Sequence, residues 1–480
     1  MAEANDLHGE NERLKAEIAA LKRQNAEQTR RIADLESAVR KLSAALKMNS
    51  TNSSMPPSSD LARGRLLKRL LRKPTGRKRG GQPGHEGVTR KPFPTEELDH
   101  VVALLPERCG DCHAVLKAEG VLADAHQVVD IPPAAAEVTE YQRYKRTCAC
   151  GAVTTAPLPE GVPSTCVGPR LQAVLTTLTG RYRMSRREAQ EVVVSLYGPK
   201  ADVALGTIFA LEKRSSEVLK PVWEEARSAA QASPAANLDE TGWMEAKGKA
   251  WLWGAVVRSL SVFLIHRRRS AEAFHALMGP DYAGAIGTDR WTSYHGHPDA
   301  KRGFCWAHLR RDFKALKELG HKGASRIGNA GLRAEAAVTK AYRRYLQGEI
   351  AHSSLRPLLQ YERARLERFL RWGSASTEPK AAALCRDVLK RYTCLWTFTR
   401  IKGIEPTNNR AERSLRKAVL WRKGSFGSDS PEGSRFAERM LTVSESLRAQ
   451  GRSVLDFVEE TIRSHALGKP HPSLLRAESG

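Results

Sequence analysis

Two aspartates stand where strand-like segments run out, Asp239 after ANL and Asp289 after AIGT, and a strand end leaves a side chain at a sheet edge open to ligand. A third acid, Glu412, lies in NNRAERSLRKAVLW, where Ala411, Leu415, Ala418 and Val419 make the apolar stripe of a helix and Glu412 sits on its margin, facing a sheet. Isolated carboxylates at a core margin are costly unless paired. A divalent cation shared among the three is one solution; salt bridges to Arg410, Arg413 or Arg416 are the other. Glu240, beside Asp239, points to the opposite face of a strand.

A second constellation is Cys109-x-x-Cys112 followed by Cys148-x-Cys150, two tight turns offering four thiols. Zn²⁺ prefers four S/N ligands in a tetrahedron, so a structural ribbon is expected, with His113 as a substitute ligand. Cys109, Cys112 and His113 also spell a c-type haem attachment pattern, which normally requires export. Reduced, unliganded thiols are the remaining reading.

These groups need elements to hold them. From residue 236 the pattern alternates: ANLDETGWM, KAWLWGAVV and LSVFLIHRR read as an antiparallel meander. SAEAFHALMG follows as a helix opened by Ser270, AGAIGTDRW as a buried strand, and GFCWAHLRRDFKAL as a helix. The order strand, strand, strand, helix, strand is that of a ribonuclease-H-like mixed sheet. Upstream, LQAVLTTLTG, SRREAQEVVVSLYG and TIFALEKRSSEVLK read as three short helices, with Ser185 and Thr207 as caps for the second and third. Arg181, Arg183, Arg186 and Arg187 at a turn suit a helix-turn-helix that reads a DNA groove, although any small helical bundle has this pattern.

At the N-terminus Leu7, Leu14, Leu21, Gln28, Leu35 and Leu42 recur every seven residues, with Ile18, Asn25, Ile32, Val39 and Leu46 four residues after. Leu at d, β-branched residues at a and one Asn at a favour a parallel two-stranded coiled coil; a helix packed on its own protein is the alternative. NSTNSSMPPSSD then breaks the helix. Residues 61–91 hold eleven Lys and Arg against one acid, Glu86, so +10 of the chain's net +25 lies there. Arg77, Lys78 and Arg79 in GRKRGGQPGHEG read as an arm laying cations along phosphates, or else as a solvated linker.

The whole chain has 480 residues with 78 Lys+Arg against 53 Asp+Glu, an excess that calls for a polyanionic partner. Its 41% apolar and 27% charged residues exclude collagen, disorder throughout and a small disulfide scaffold. No apolar run approaches the roughly 18 residues of a membrane span, and the first residues lack a signal-peptide pattern. A cytoplasmic protein with no membrane partner is expected, its Cys residues serving as metal ligands or buried thiols.

NSSMPPSSD, GRKRGGQPGHEG, the CGDC and CAC pairs, LDETGW, GTDRW, CWAHLRR and NNRAERSLR occur in the order found in bacterial insertion-sequence-66 family transposases, which this chain resembles over nearly its whole length. The resemblance implies an acidic-triad (DDE) transposase that cleaves the ends of an insertion sequence and joins the 3′-OH to target DNA. Its catalytic positions carry over onto Asp239, Asp289 and Glu412, holding two Mg²⁺ ions, with Mn²⁺ as an alternative. Arg410 and Arg413 are phosphate-clamp candidates, with surface solvation as their plain reading. Cys305 and His308 resemble a Cys/His pair that several such groups carry after the second Asp, and packing is expected of them.

The expected fold is multidomain, mostly α with an α/β core. Its units are a coiled coil (1–47), basic arm (48–93), zinc ribbon (94–163), helix-turn-helix-like region (164–228), ribonuclease-H-like core (229–423, helical insertion about 314–400) and C-terminal helical segment (424–480). Expected partners are element ends with inverted repeats, target DNA, a second copy or higher oligomer, and small accessory proteins of the same element, in a nucleoid-associated setting. The competing function is a non-catalytic DNA-binding or architectural protein derived from a transposase; a nuclease that cuts without joining is a third reading.

Overall fold

A computed structural model describes residues 2–46, 49, 90–117 and 120–475. The basic arm, with Arg77, Lys78 and Arg79, lies outside the described residues apart from its ends. In chain order the helices are α1 (Ala2–Leu46), α2 (Pro169–Gly180), α3 (Arg186–Tyr197), α4 (Leu205–Gln231), α5 (Ala271–Met278), α6 (Trp306–Glu318), α7 (Lys322–Leu346), α8 (Leu355–Ser374), α9 (Pro379–Lys390), α10 (Asn409–Ser425), α11 (Pro431–Gln450) and α12 (Val454–Ala466). The strands are β1 (Lys145–Thr147), β2 (Val153–Thr155), β3 (Ala235–Glu245), β4 (Gly248–Val257), β5 (Leu260–His266), β6 (Ala285–Thr288) and β7 (Arg302–Phe304). The fold is mixed α/β, as the alternation after residue 236 anticipated.

In the single chain, Leu14, Ile18, Leu21, Ile32, Leu35 and Val39 of α1 are all more than half exposed. These six seam positions are therefore not buried against the chain's own described residues.

The central sheet runs β5-β4-β3-β6-β7, antiparallel from β5 to β3 and parallel from β3 to β7. Alternation along the strands fills two cores. Trp253, Ala255, Val262 and Leu264 share one face with Leu238 and with Phe274 and Leu277 of α5. Leu252, Phe263, Ile265 and Trp243 take the other, against Leu415 and Ala418 of α10. Strand β7 was not anticipated: its three buried residues, Arg302, Gly303 and Phe304, are too few to show a period.

The free edge of β5 is covered by α11. Backbone N–H groups of Ser261, Phe263 and Ile265 donate to Ser446 Oγ (3.0 Å), Thr442 Oγ1 (3.1 Å) and Glu438 Oε1. Two residues of strand rise nearly as far as four residues of helix, roughly 6 to 7 Å, so one acceptor per helical turn matches every outward amide.

The region 164–228 contains two short helices and one long one. α3 opens on Ser185 with a reciprocal capping box to Glu188, as its sequence signalled. Thr207 is not a cap: α4 starts at Leu205, because Ile208 and Leu211 are drawn into a core with Leu175, Ala189 and Val193. Ser270 precedes α5 but its side chain makes no capping bond. Helices α7, α8 and α9 lie between the last strand and the helix bearing Glu412, and Ile327 and Leu366 share one core with Phe313 of α6, Trp396, and Ala285 and Phe304 of the sheet.

Candidate functional site

The site begins where the parallel half of the sheet comes apart. β6 pairs with β3 in the register Ala235↔Ala285 to Asn237↔Gly287, and Ala285 N donates to Pro234 O (2.8 Å). Continued by two residues, that register sets Asp239 abreast of Asp289, but β6 ends at Thr288. Asp239 is thus not at a strand end: β3 runs on to Glu245 paired with β4, and only its other side is open. The Leu238 carbonyl on that side accepts instead from Asn408 Nδ2 (2.6 Å).

This bond draws α10 onto the opening. Asn408 precedes the helix, yet its side chain turns to the strand rather than capping. Its backbone N–H donates to Cys305 Sγ (3.1 Å), Cys305 N donates to Thr288 O (3.0 Å), and Trp306 N donates to Pro406 O (2.9 Å). Glu412 lies one turn on, with its N–H bonded to Asn408 O (3.1 Å). Opposite Asp239 on β4 is Gly254, where a Cβ would stand 3.3 Å from Leu415 Cδ2; the glycine lets α10 lie close to the sheet. Asp239 shares its strand face with Trp243, which packs beside α10, so Asp239 and Glu412 face one space.

Electrostatics agree with this convergence. Burial holds the Asp239 carboxyl well above the usual carboxylate range although part of its surface reaches solvent, and Glu240, Glu412 and Asp289 push it further the same way. Glu240 is raised too, by burial first and then by Asp289. It points to the other face, as expected, where Arg269 (2.7 Å) and the Tyr294 hydroxyl (2.5 Å) hold it. Asp289 Oδ1 accepts from Trp291 N (2.8 Å), and the neighbouring Arg290 pairs with Asp387 of α9 (2.5 Å) and Asp312 of α6. The cations adjacent to the aspartates are therefore engaged elsewhere.

Cys305 and His308 flank Glu412. Cys305 is buried, which pushes its thiol up to about 11. His308 Nδ1 is 3.7 Å from Glu412 Oε1, and burial lowers the imidazole pKa, aided by Arg311 and opposed by Glu412, Asp289 and Asp312. Among the described residues, these three have one ligand atom each lying within 4.8 Å of one another; the acid trio is more open.

The residues expected to touch DNA divide. Arg186 is engaged with Glu212 (2.7 Å) and lies over the Phe209 ring, whereas Arg187 is exposed beside it on a cleft of about 720 Å³ between α3, α4 and the start of α11. Arg410 is held by the Arg258 carbonyl and Glu405 (3.6 Å), and Arg413 is exposed on α10.

Cys109 and Cys112 lie in one turn, where Cys109 N donates to Ala114 O (2.9 Å) and His113 N to Cys109 O (3.1 Å). Cys148 and Cys150 lie in the turn of the β1–β2 hairpin. Backbone donation from Cys112 lowers the Cys109 thiol pKa, and donation from Cys150 lowers that of Cys148. The four do not close into a ligating group in this structure. β1 and β2 are exposed throughout, and Val101, Leu104, Val121 and Ile131 nearby are at least 73% exposed, so the segment has little core to stabilise it.

No sequence signal marks Asn408 as the residue joining α10 to β3, the doublet NN before RAER being the nearest. Nor does any mark Glu412 as a third neighbour for Cys305 and His308.

Among the described residues no helix is long and apolar enough to cross a membrane. Residues 3–91 match a family of unknown function, DUF6444, and residues 106–151 match the zinc-finger binding domain of transposase IS66. An uncharacterized protein of Sinorhizobium fredii, y4qI, is 26% identical over 250 residues, 46% of this chain and 45% of that protein, so the match spans less than half the relative's length. The Transposase IS66 family model matches residues 187–436, more than half of the chain and the whole stretch that carries Asp239, Asp289 and Glu412; the chain belongs to the IS66 transposase family.

Proposed function

We propose that the protein cuts the ends of a mobile DNA element and joins the freed 3′-OH to target DNA, on a ribonuclease-H-like core. What supports this reading is that Asp239 and Asp289 flank the opened side of β3 and Glu412 lies on the helix docked there; burial raises Asp239 most, and Glu240, Glu412 and Asp289 push it the same way. Crowded carboxylates of this kind are unfavourable unless cations join them.

The donors fit a hard divalent ion. All three supply carboxylate oxygens, and Glu412 Oε1 is buried without a hydrogen-bond partner. Asp239, Asp289 and Glu412 would hold two Mg²⁺ ions or Mn²⁺ in their place. When bound, such a pair stabilises the attacking and leaving oxygens of an in-line phosphoryl transfer.

The chain's own residues do the rest. Asn408 fixes the height of Glu412 against β3, the Asp289 loop is anchored through Arg290, and exposed Arg413 and Arg187 are placed to meet phosphates. The attacking group is first water, then the 3′-OH, so no protein nucleophile is needed. The thiols of Cys109, Cys112, Cys148 and Cys150 would hold a structural zinc, as donors suited to that ion on a segment with little core. The basic arm, including Arg77, Lys78 and Arg79, adds salt-dependent affinity, and α1 pairs two copies so that both element ends are held together.

Asp289→Asn tests the reading on DNA carrying element ends with Mg²⁺. Nicking is expected to vanish while end binding in a mobility-shift assay persists; nicking at the wild-type rate would overturn it.

A further inference from the structure

Cys305 and His308 from one segment and Glu412 from another, about a hundred residues on, are brought together by backbone bonds. Cys305 is fixed by its N–H to Thr288 O (3.0 Å), and its sulfur accepts from Asn408 N (3.1 Å), the kind of N–H···S contact that supports a metal-bound thiolate. His308 follows at i+3, one turn into α6, and presents Nδ1 at 3.7 Å from Glu412 Oε1. Both of those atoms are buried without a hydrogen-bond partner, and all three residues have a ligand atom within 4.8 Å of each other's. A tetrahedral zinc ion separates such donors by roughly 3.3 to 3.6 Å, given Zn–S near 2.3 Å and Zn–N near 2.0 Å. The N···O separation of 3.7 Å nearly matches, and the sulfur lies within 4.8 Å of both atoms.

We propose that Cys305, His308 and Glu412 form a second zinc site, separate from the cysteine ribbon, whose ion takes Glu412 away from Asp239 and Asp289. A thiolate and an imidazole select Zn²⁺ over Mg²⁺, so the two kinds of ion do not compete on equal terms. On binding, the S–H bond breaks, an S–Zn bond forms, and the proton leaves to solvent. A fourth, open position remains, as in zinc sites that bind water. The binding claim stands on the three side chains alone. Its consequence, that zinc silences DNA cutting, rests on the function proposed above.

The test uses the full chain, loaded with excess Zn²⁺, desalted and assayed for metal content. Two zinc ions per chain are expected in the wild type, one after Cys109→Ala with Cys112→Ala, and one after His308→Ala. Circular dichroism on His308→Ala, with His308→Asn as a second variant, separates ligand loss from unfolding. A single zinc in the wild type that disappears with the ribbon cysteines and survives both folded His308 variants overturns the proposal. In parallel, Zn²⁺ is titrated into a Mg²⁺-driven nicking assay. Inhibition that tracks filling of the second site supports the regulatory half, and undiminished nicking with that site full overturns it. Zinc bound at His308 in a protein that never nicks would defeat the catalytic reading and leave the site standing.

Discussion

Replacing Asn408 with Ala probes whether one buried amide sets the position of the third acid. Asn408 is 1% exposed, and its Nδ2 satisfies the Leu238 carbonyl at 2.6 Å where β6 no longer reaches. Removing it leaves a buried acceptor without its side-chain donor, which costs about 1–3 kcal/mol of stability. The effect on catalysis should be larger in proportion, because Glu412 sits on the turn that Asn408 anchors. A shift of about 1 Å in such a group lowers rates by about 10²-fold. Thr442→Val is the matched control: it removes the acceptor for Phe263 N, a bond of similar kind on the far edge of the sheet. Urea melts give the stability change and nicking of end-bearing DNA below both melting ranges gives the rate. Asn408→Ala should nick about 10²-fold more slowly and Thr442→Val nearly normally. Equal rates in the two variants would refute the argument that Asn408 positions Glu412.

Further expectations follow from other elements. Burial raises Glu438 from 4.5 to about 8, against the opposing pull of Arg435. The native state then keeps a proton that the unfolded chain has released, so stability falls as pH rises from about 4.5 to about 8, by at most about 5 kcal/mol at 1.36 kcal/mol per pKa unit. Glu438→Gln keeps an acceptor for Ile265 N and should flatten that slope; parallel urea midpoints near pH 5 and pH 9 in wild type and variant would contradict it. Stripping zinc with a chelator should make residues 106–151 sensitive to limited proteolysis while the sheet core stays intact, and an unchanged digest would count against a zinc-held ribbon. Deleting residues 1–47 should halve the mass seen by light scattering if α1 pairs two chains, and an unchanged mass would place its apolar seam elsewhere.

Much of the core was legible because its signals are local. Alternation marked β3, β4 and β5 to within a residue or two, and the stripe Ala411, Leu415, Ala418 placed α10 with its apolar side inward, where all three are buried. Asp289 was readable as the residue after a short apolar run. What escaped was non-local. Asp239 reads as a strand end because it follows ANL, yet β3 continues along β4, and only the loss of β6 exposes it. Thr207 has the right chemistry for a cap and the wrong place, since packing of Ile208 pulled the helix start upstream. Cys305 and His308 share one motif, but Glu412 joins them across more than a hundred residues, a meeting that no spacing rule encodes.

The ladder of Glu438, Thr442 and Ser446 along β5 bears on how the protein can be dissected. The family match stops at residue 436, six residues into α11 and just short of all three. A fragment trimmed at that boundary would leave the amides of Ser261, Phe263 and Ile265 bare, a template for sticking to other chains. Insoluble material from such a fragment would then speak of a stripped flank, not of an unstable fold, and the shortest useful recombinant piece should run through Gln450 at least.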